Sequence, residues 1–148
     1  LQKNLVMFYT GDVRSANSIL AEQKKNMSSE EKAKNLQQMC GLAEDMKQAL
    51  EHDDLSSFGD LLNEGWKLKR TLASGISNPV IDEAYETAMS NGALGGKLLG
   101  AGGGGFLLFY CEPEKQEQLR VALKMRPFPF KFEKDGTSVV YIGDKYWD

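Results

Sequence analysis

Six consecutive positions, Gly100-Ala101-Gly102-Gly103-Gly104-Gly105, carry almost no side chain. Glycine in the interior of an element loses about 0.5–1 kcal/mol relative to alanine, so the run of four at Gly102–Gly105 costs about 2–4 kcal/mol. That is a large fraction of a typical domain's stability. Such a segment points to positive φ values or to very close approach of another backbone. Bare amides in a loop of this kind can point together and hold an anion such as phosphate. Eight of the chain's fifteen glycines fall between Gly92 and Gly105. Apolar, strand-like segments bound the run, and Ser, Asn and Lys are absent from it, which sets it apart from a solvated linker.

The run matches G-x-G-x-x-G, but two meanings of that pattern are excluded by context. A dinucleotide fingerprint needs a helix directly after the loop, whereas Phe106–Cys111 reads as a strand. Protein kinases place a glycine loop between strands, yet this chain has no V-A-I-K, H-R-D or D-F-G element. Neither Lys-Ser nor Lys-Thr follows the glycines, so there is no Walker A loop.

Other residues offer weaker chemistry. Lys97 stands three positions before the loop, as a phosphate neighbour or as an exposed strand lysine. Arg14 follows Thr10-Gly11 and suits bidentate phosphate contact, or is a solvated residue at a helix start. Lys67, Lys69 and Arg70 share about one helical turn beside Trp66, where they recognise a sugar phosphate or form a charged surface. Ser77 and Asn78 are first a helix entry and second a substrate contact. His52, among Glu51, Asp53 and Asp54, lies on consecutive positions that point different ways, so no metal site is expected there. Cys40, on an apolar helix face, and Cys111, at a strand end, have no basic partner nearby and are expected to be buried and structural.

The elements that position these residues can be read from period and punctuation. Leu5–Thr10 reads as a buried strand. A short helix is expected from Ser15 to about Lys25. Ser28 or Ser29 opens a second helix with Leu36, Met39, Cys40, Ala43, Met46 and Leu50 as its apolar face. Asp53 or Asp54 caps a third, with Leu55, Phe58, Leu61, Leu62, Trp66 and Leu68 inward. Gly65 within it predicts close packing or a bend. Asn78-Pro79 is a strong helix start, followed by the face Val80, Ala84, Tyr85, Ala88 and a C-cap at Asn91-Gly92. Lys97–Leu99 and Phe106–Cys111 are strands, Pro113 opens a helix to about Lys124, and Phe128–Phe132 pairs with Ser138–Ile142 around Asp135-Gly136. Helices grouped on one face of a mostly antiparallel sheet make an α+β domain, and residues 1–148 read as a single one.

Composition narrows the class. The chain has 148 residues, 41% hydrophobic and 26% charged, with a net charge of −3. No basic face supports nucleic-acid binding, and no apolar run is long enough for a membrane helix. Two distant cysteines fit an undisulfided cytoplasmic protein. The chain opens on Leu1 rather than Met, directly on a strand-like segment, as a piece of something longer would.

The segment Lys97-Leu98-Leu99-Gly100-Ala101-Gly102-Gly103-Gly104-Gly105-Phe106 resembles the third conserved motif of the GHMP kinases, which phosphorylate small molecules. The wider pattern resembles the sugar kinases that act on D-glycero-D-manno-heptose 7-phosphate. It comprises Phe8-Tyr9-Thr10-Gly11 with Arg14-Ser15, Ile76-Ser77-Asn78-Pro79 with Ile81-Asp82, the glycine segment, and the Phe128–Phe132 stretch, in family order over essentially the whole chain. The resemblance implies a ferredoxin-like carboxyl-terminal domain whose glycine motif packs beside an ATP loop. It implies that ATP and Mg2+ are bound mainly by an amino-terminal kinase domain, since no Ser-rich P-x-G-L-G-S-S-type loop is present here. It places Lys97 and Gly100–Gly105 near phosphate and the ATP loop, and adds Arg14, Ser77 and Asn78 to Lys69 as candidates for a sugar or sugar-phosphate substrate, with no catalytic residue in this chain. An isolated half of this kind is expected not to turn over. It should expose an apolar interface and form dimers or aggregates. The alternative is a stand-alone α+β module that binds an anionic small molecule or a partner protein through the same loop. An RNA-binding sheet would want paired exposed aromatics among basic residues, and the strand aromatics read as buried.

Overall fold

The computed structural model describes residues 1–11 and 16–139. A 3-10 turn at Gln2–Asn4 leads into β1 (Leu5–Tyr9). Four helices follow: α1 (Ala16–Asn26), α2 (Glu30–Glu51), α3 (Leu55–Thr71) and α4 (Pro79–Ser90). Then come β2 (Ala93–Leu98), β3 (Phe106–Cys111), a 3-10 turn at Pro113–Lys115, α5 (Gln116–Leu123) and the two-residue β4 (Arg126–Pro127). All pairings are antiparallel, in the order β2-β3-β1-β4. The fold is α+β, as the order of periods implies.

β1 alternates strictly: Val6 and Phe8 are buried while Leu5, Met7 and Tyr9 are half-exposed. Phe8, Leu107, Phe109 and Leu98 meet Trp66, Ile76, Ile81 and Leu119 in one core. Local chemistry fixes the helix starts. Asp54 Oδ1 accepts from the Ser57 amide at 3.1 Å. Asn78 Oδ1 accepts from the amides of Val80 and Ile81, both at 3.1 Å, with Pro79 at the first helical position.

The outer strand β2 begins at Ala93, four residues before the expected Lys97, because Gly95 and Gly96 are strand residues and not loop. Their missing side chains let α3 lie along the strand: a Cβ on Gly95 would fall on the carbonyl oxygen of Gly59 and 2.8 Å from the amide nitrogen of Asn63. Close packing within α3 therefore sits at Gly59 and not at Gly65, where an added Cβ would find only Leu42 Cδ1 at 3.9 Å. Tyr85 closes the same seam. Its hydroxyl accepts from the Gly96 amide at 3.2 Å and donates to Asn63 Oδ1 at 2.9 Å.

Burial pushes the Tyr85 phenol up to about 12. A folded-state pKa raised above the ordinary phenol value contributes stability that is complete below about pH 10 and is lost as the pH rises toward 12. Urea melts of the wild-type chain should lose about 2–3 kcal/mol across that window, and Tyr85→Phe should flatten the loss. An alkaline limb equally steep in both proteins would show that Tyr85 is not the group responsible.

Several expectations are corrected. On α2, Cys40 and Ala43 are exposed and Leu50 is 41% exposed, while Leu42 and Ala49 face inward. Leu36, Met39 and Met46 turn inward as expected, and with Asn35, Leu42 and Ala49 they make a stripe in which Asn35, Met39, Leu42, Met46 and Ala49 are spaced four, three, four and three apart. That is the narrow seam of a helix packed against a single partner, and the main partner of α2 is α3. Cys111 is buried, as expected. On α4, Val80 is 67% exposed and Ile81 takes its place in the core. Phe128–Phe132 forms no strand: β4 stops at Pro127, and Pro127 and Pro129 cannot donate to a ladder. Residues 140–142 of the expected hairpin lie outside the described residues. Phe128 and Phe132 are exposed, unlike the strand aromatics Phe8 and Phe109.

Candidate functional site

The glycine segment is a bend between β2 and β3, closed at its base by the Leu99 amide donating to the Phe106 carbonyl at 2.8 Å. Four of its glycines take positive φ: Gly100 (82°), Gly102 (116°), Gly103 (78°) and Gly105 (110°). Both sequence-level explanations for the run, positive φ and close approach, therefore hold.

The bend is docked at two points. The Gly103 amide donates to the Ile76 carbonyl at 2.9 Å, and a Cβ on Gly102 would lie 2.6 Å from Ile76 Cα. At the other end Thr10 clamps Gly105. The Thr10 amide donates to the Gly105 carbonyl at 2.9 Å, and its hydroxyl accepts from the Gly105 amide at 2.9 Å. Thr10 is a positioning residue; the sequence shows it in the Phe8-Tyr9-Thr10-Gly11 pattern without a role of its own, and the signal for that role is a hydroxyl at the strand end beside Gly11. With these contacts made, the amides of Gly100, Ala101, Gly102 and Gly104 have no hydrogen-bond partner among the described residues. Gly100 is exposed.

Ser77 and Asn78 serve the segment that receives the bend. Ser77 Oγ donates to Asp82 Oδ1 at 2.7 Å and Arg70 Nη1 donates to the same oxygen at 2.8 Å. Burial pushes the Asp82 carboxyl up, but those two hydrogen bonds and the Arg70 charge outweigh it and hold the group below the usual range. Asn78 spends its side-chain oxygen on the α4 cap.

Lys69 and Lys97, 28 positions apart, are brought together with Gly100 around a pocket of about 230 Å³ between α2, α3 and the end of β2. Burial lowers the Lys69 pKa, and the Lys97 charge lowers it further. Ser77 and Asn78 do not line this pocket. Arg14 lies outside the described residues. Lys67 is exposed, and Arg70 is committed to Asp82. Among the described residues no group of three or more His, Cys, Asp or Glu is placed to hold a metal ion. His52 is exposed and its Nδ1 lies 2.8 Å from the Gln48 carbonyl. No described helix is long and apolar enough to cross a membrane.

The family model described as GHMP kinases C terminal matches residues 46–126, from the last turns of α2 through the docked bend to β4. The chain belongs to this family. As a GHMP kinase C-terminal domain it is 33% identical, over 142 residues, to the D-glycero-alpha-D-manno-heptose 7-phosphate kinase of Campylobacter jejuni. That match covers 92% of this chain and 41% of the relative, so the chain spans well under half the length of that protein. The L. major mevalonate kinase, solved with R-mevalonate, superposes with a TM-score of 0.71 at 23% identity, covering 81% of this chain and 37% of that one. A D-glycero-D-manno-heptose 1-phosphate kinase from Bacteriodes thetaiotaomicron gives 0.53 at 27% identity, with 89% and 33% covered. The relatives of this GHMP kinase domain thus include both sugar-phosphate and mevalonate kinases.

Proposed function

We propose that the chain is the carboxyl-terminal half of an ATP-dependent kinase for a sugar or sugar phosphate, with heptose 7-phosphate as the model substrate, and that it does not turn over alone. The observation that carries this reading is the docked bend. Gly102, Gly103 and Gly105 seat it, the amides of Gly100, Ala101, Gly102 and Gly104 stay unbonded among the described residues, and Gly100 lines a pocket with Lys97 and Lys69. Phosphoryl transfer depends on positioning and on charge stabilisation around the phosphates, and in this reading a docked bend with unbonded amides, opening beside two lysines, supplies part of both. In this reading the unbonded amides take a phosphate of ATP. Mg2+ and the groups that bind it belong, in this reading, to an amino-terminal domain, in keeping with the greater length of the relatives. That domain is the expected partner.

A chimera tests the proposal. The matched region of the Campylobacter jejuni kinase is replaced by this chain, and ATP turnover is followed in a coupled assay with heptose 7-phosphate and with mevalonate. Turnover is expected with the heptose phosphate only, and none from the 148-residue chain by itself. Robust turnover by the isolated chain, or a folded chimera that binds anions without consuming ATP, would sink it. The second outcome is what the stand-alone anion-binding module requires, a reading that needs only Lys69, Lys97 and the bend.

A further inference from the structure

The pocket that holds Lys69 and Lys97 is not built for a sugar. Its other walls are apolar, with Met39, Leu42, Met46, Leu61 and Trp66 among them. A hydroxyl-rich body seated there would exchange water for side chains that offer no hydrogen bonds, which is unfavourable for each hydroxyl. The pocket runs along one face of α3, where Leu61, Gly65 and Lys69 succeed one another at four-residue steps. At 1.5 Å per residue the apolar and cationic ends are about 12 Å apart.

Gly65 sits between those ends. It has no positive φ, and a Cβ there would meet nothing closer than 3.9 Å. Alanine would fit and would favour the helix by about 1 kcal/mol, so packing does not require the glycine, whereas an open pocket floor does. Trp66 also lines the pocket, and its buried indole N–H has no acceptor among the described residues. The two ammonium groups repel one another and face no carboxylate: neither forms an ion pair among the described residues.

We infer that this pocket binds a small amphipathic acid, its apolar body lying along Leu61–Gly65 and its acid group held between Lys69 and Lys97. An apolar cavity of about 150 Å³ holds benzene, so a pocket of about 230 Å³ takes a somewhat larger body. The inference goes beyond the kinase reading and is tested without turnover.

The 148-residue chain is titrated calorimetrically with hexyl phosphate, hexanoate, n-hexanol and inorganic phosphate. One or both of the amphipathic acids should bind at least about tenfold more tightly than n-hexanol and inorganic phosphate. Whichever binds better identifies the acid group. Lys69→Met and Lys97→Met should each weaken that binding about tenfold or more, the loss expected for one charge-assisted hydrogen bond. Gly65→Leu should abolish it while leaving the circular dichroism melt intact. In a Trp147→Phe background, Trp66 emission should shift on binding. Inorganic phosphate binding as tightly as hexyl phosphate, no saturable binding by either acid, or binding indifferent to Gly65→Leu would each overturn the assignment. None of these results depends on the kinase chimera.

Discussion

Replacing Gly102 with alanine should destabilise the chain by about 3–5 kcal/mol, whereas the same change at Gly100 should cost only about 1 kcal/mol. Both residues have positive φ, 116° and 82°, so both substitutions carry the conformational penalty of a left-handed backbone. They differ in what the new methyl meets. At Gly100 there is nothing within 4 Å. At Gly102 the Cβ would stand 2.6 Å from Ile76 Cα and 2.8 Å from the Ile76 carbonyl oxygen. Those are backbone atoms ahead of α4, whose start is fixed by Asn78 and by the Arg70–Asp82–Ser77 contacts, so they cannot yield as a side-chain tip would. Relief means lifting the bend, which breaks the Gly103-to-Ile76 hydrogen bond and removes about 1 kcal/mol more. Urea midpoints of the two variants measure the difference. In the kinase chimera Gly102→Ala should reduce kcat at least about a hundredfold, because misplacing catalytic groups by about 1 Å has that effect. Equal destabilisation by the two variants would mean that docking on Ile76 does not hold the bend.

What could be read from sequence follows how local the physics is. The α4 start at Asn78-Pro79 and the α3 cap at Asp54 are satisfied within three residues of the signal, and both are present as read. The glycine run announced its strain because four glycines in a row are costly wherever they stand. The apolar face of α2 was harder, because its width depends on how many neighbours the helix has. Against α3 the seam narrows and leaves Cys40 and Leu50 to solvent. The first half of β2 was hidden because Gly95 and Gly96 have loop composition, and only the arrival of α3 explains them. The prolines that truncate β4 are visible in the sequence, but the alternation of Phe128–Phe132 points the other way. The meeting of Lys69 with Lys97 is wholly tertiary, since no local rule links the last turn of α3 to the end of β2.

That close approach of α3 to β2 carries the larger of the two effects. Gly95→Ala should cost more than about 4 kcal/mol, the range reserved for substitutions that break a specific structural mechanism. The added Cβ would overlap the Gly59 carbonyl oxygen and crowd the Asn63 amide, both in the backbone of a 17-residue helix. No rotamer change relieves a clash between a Cβ and a helix backbone, so α3 must retreat as a body. Retreat pulls Asn63 from Tyr85 and opens the Trp66 and Leu62 packing, and it spreads the Lys69–Lys97 pocket. The expected signature is retained far-UV helical signal with, in the Trp147→Phe background, red-shifted Trp66 emission and a broadened urea transition, the behaviour of a chain that keeps its helices but loses fixed packing. Gly65→Ala on the same helix is the control. Its Cβ meets only Leu42 Cδ1, at an ordinary contact distance of 3.9 Å, so it should stabilise the chain by about 0.5–1 kcal/mol. If Gly95→Ala melted within about 1 kcal/mol of the wild type, the seating of α3 on this strand would be wrong, and with it the geometry that brings the two lysines to the glycine bend.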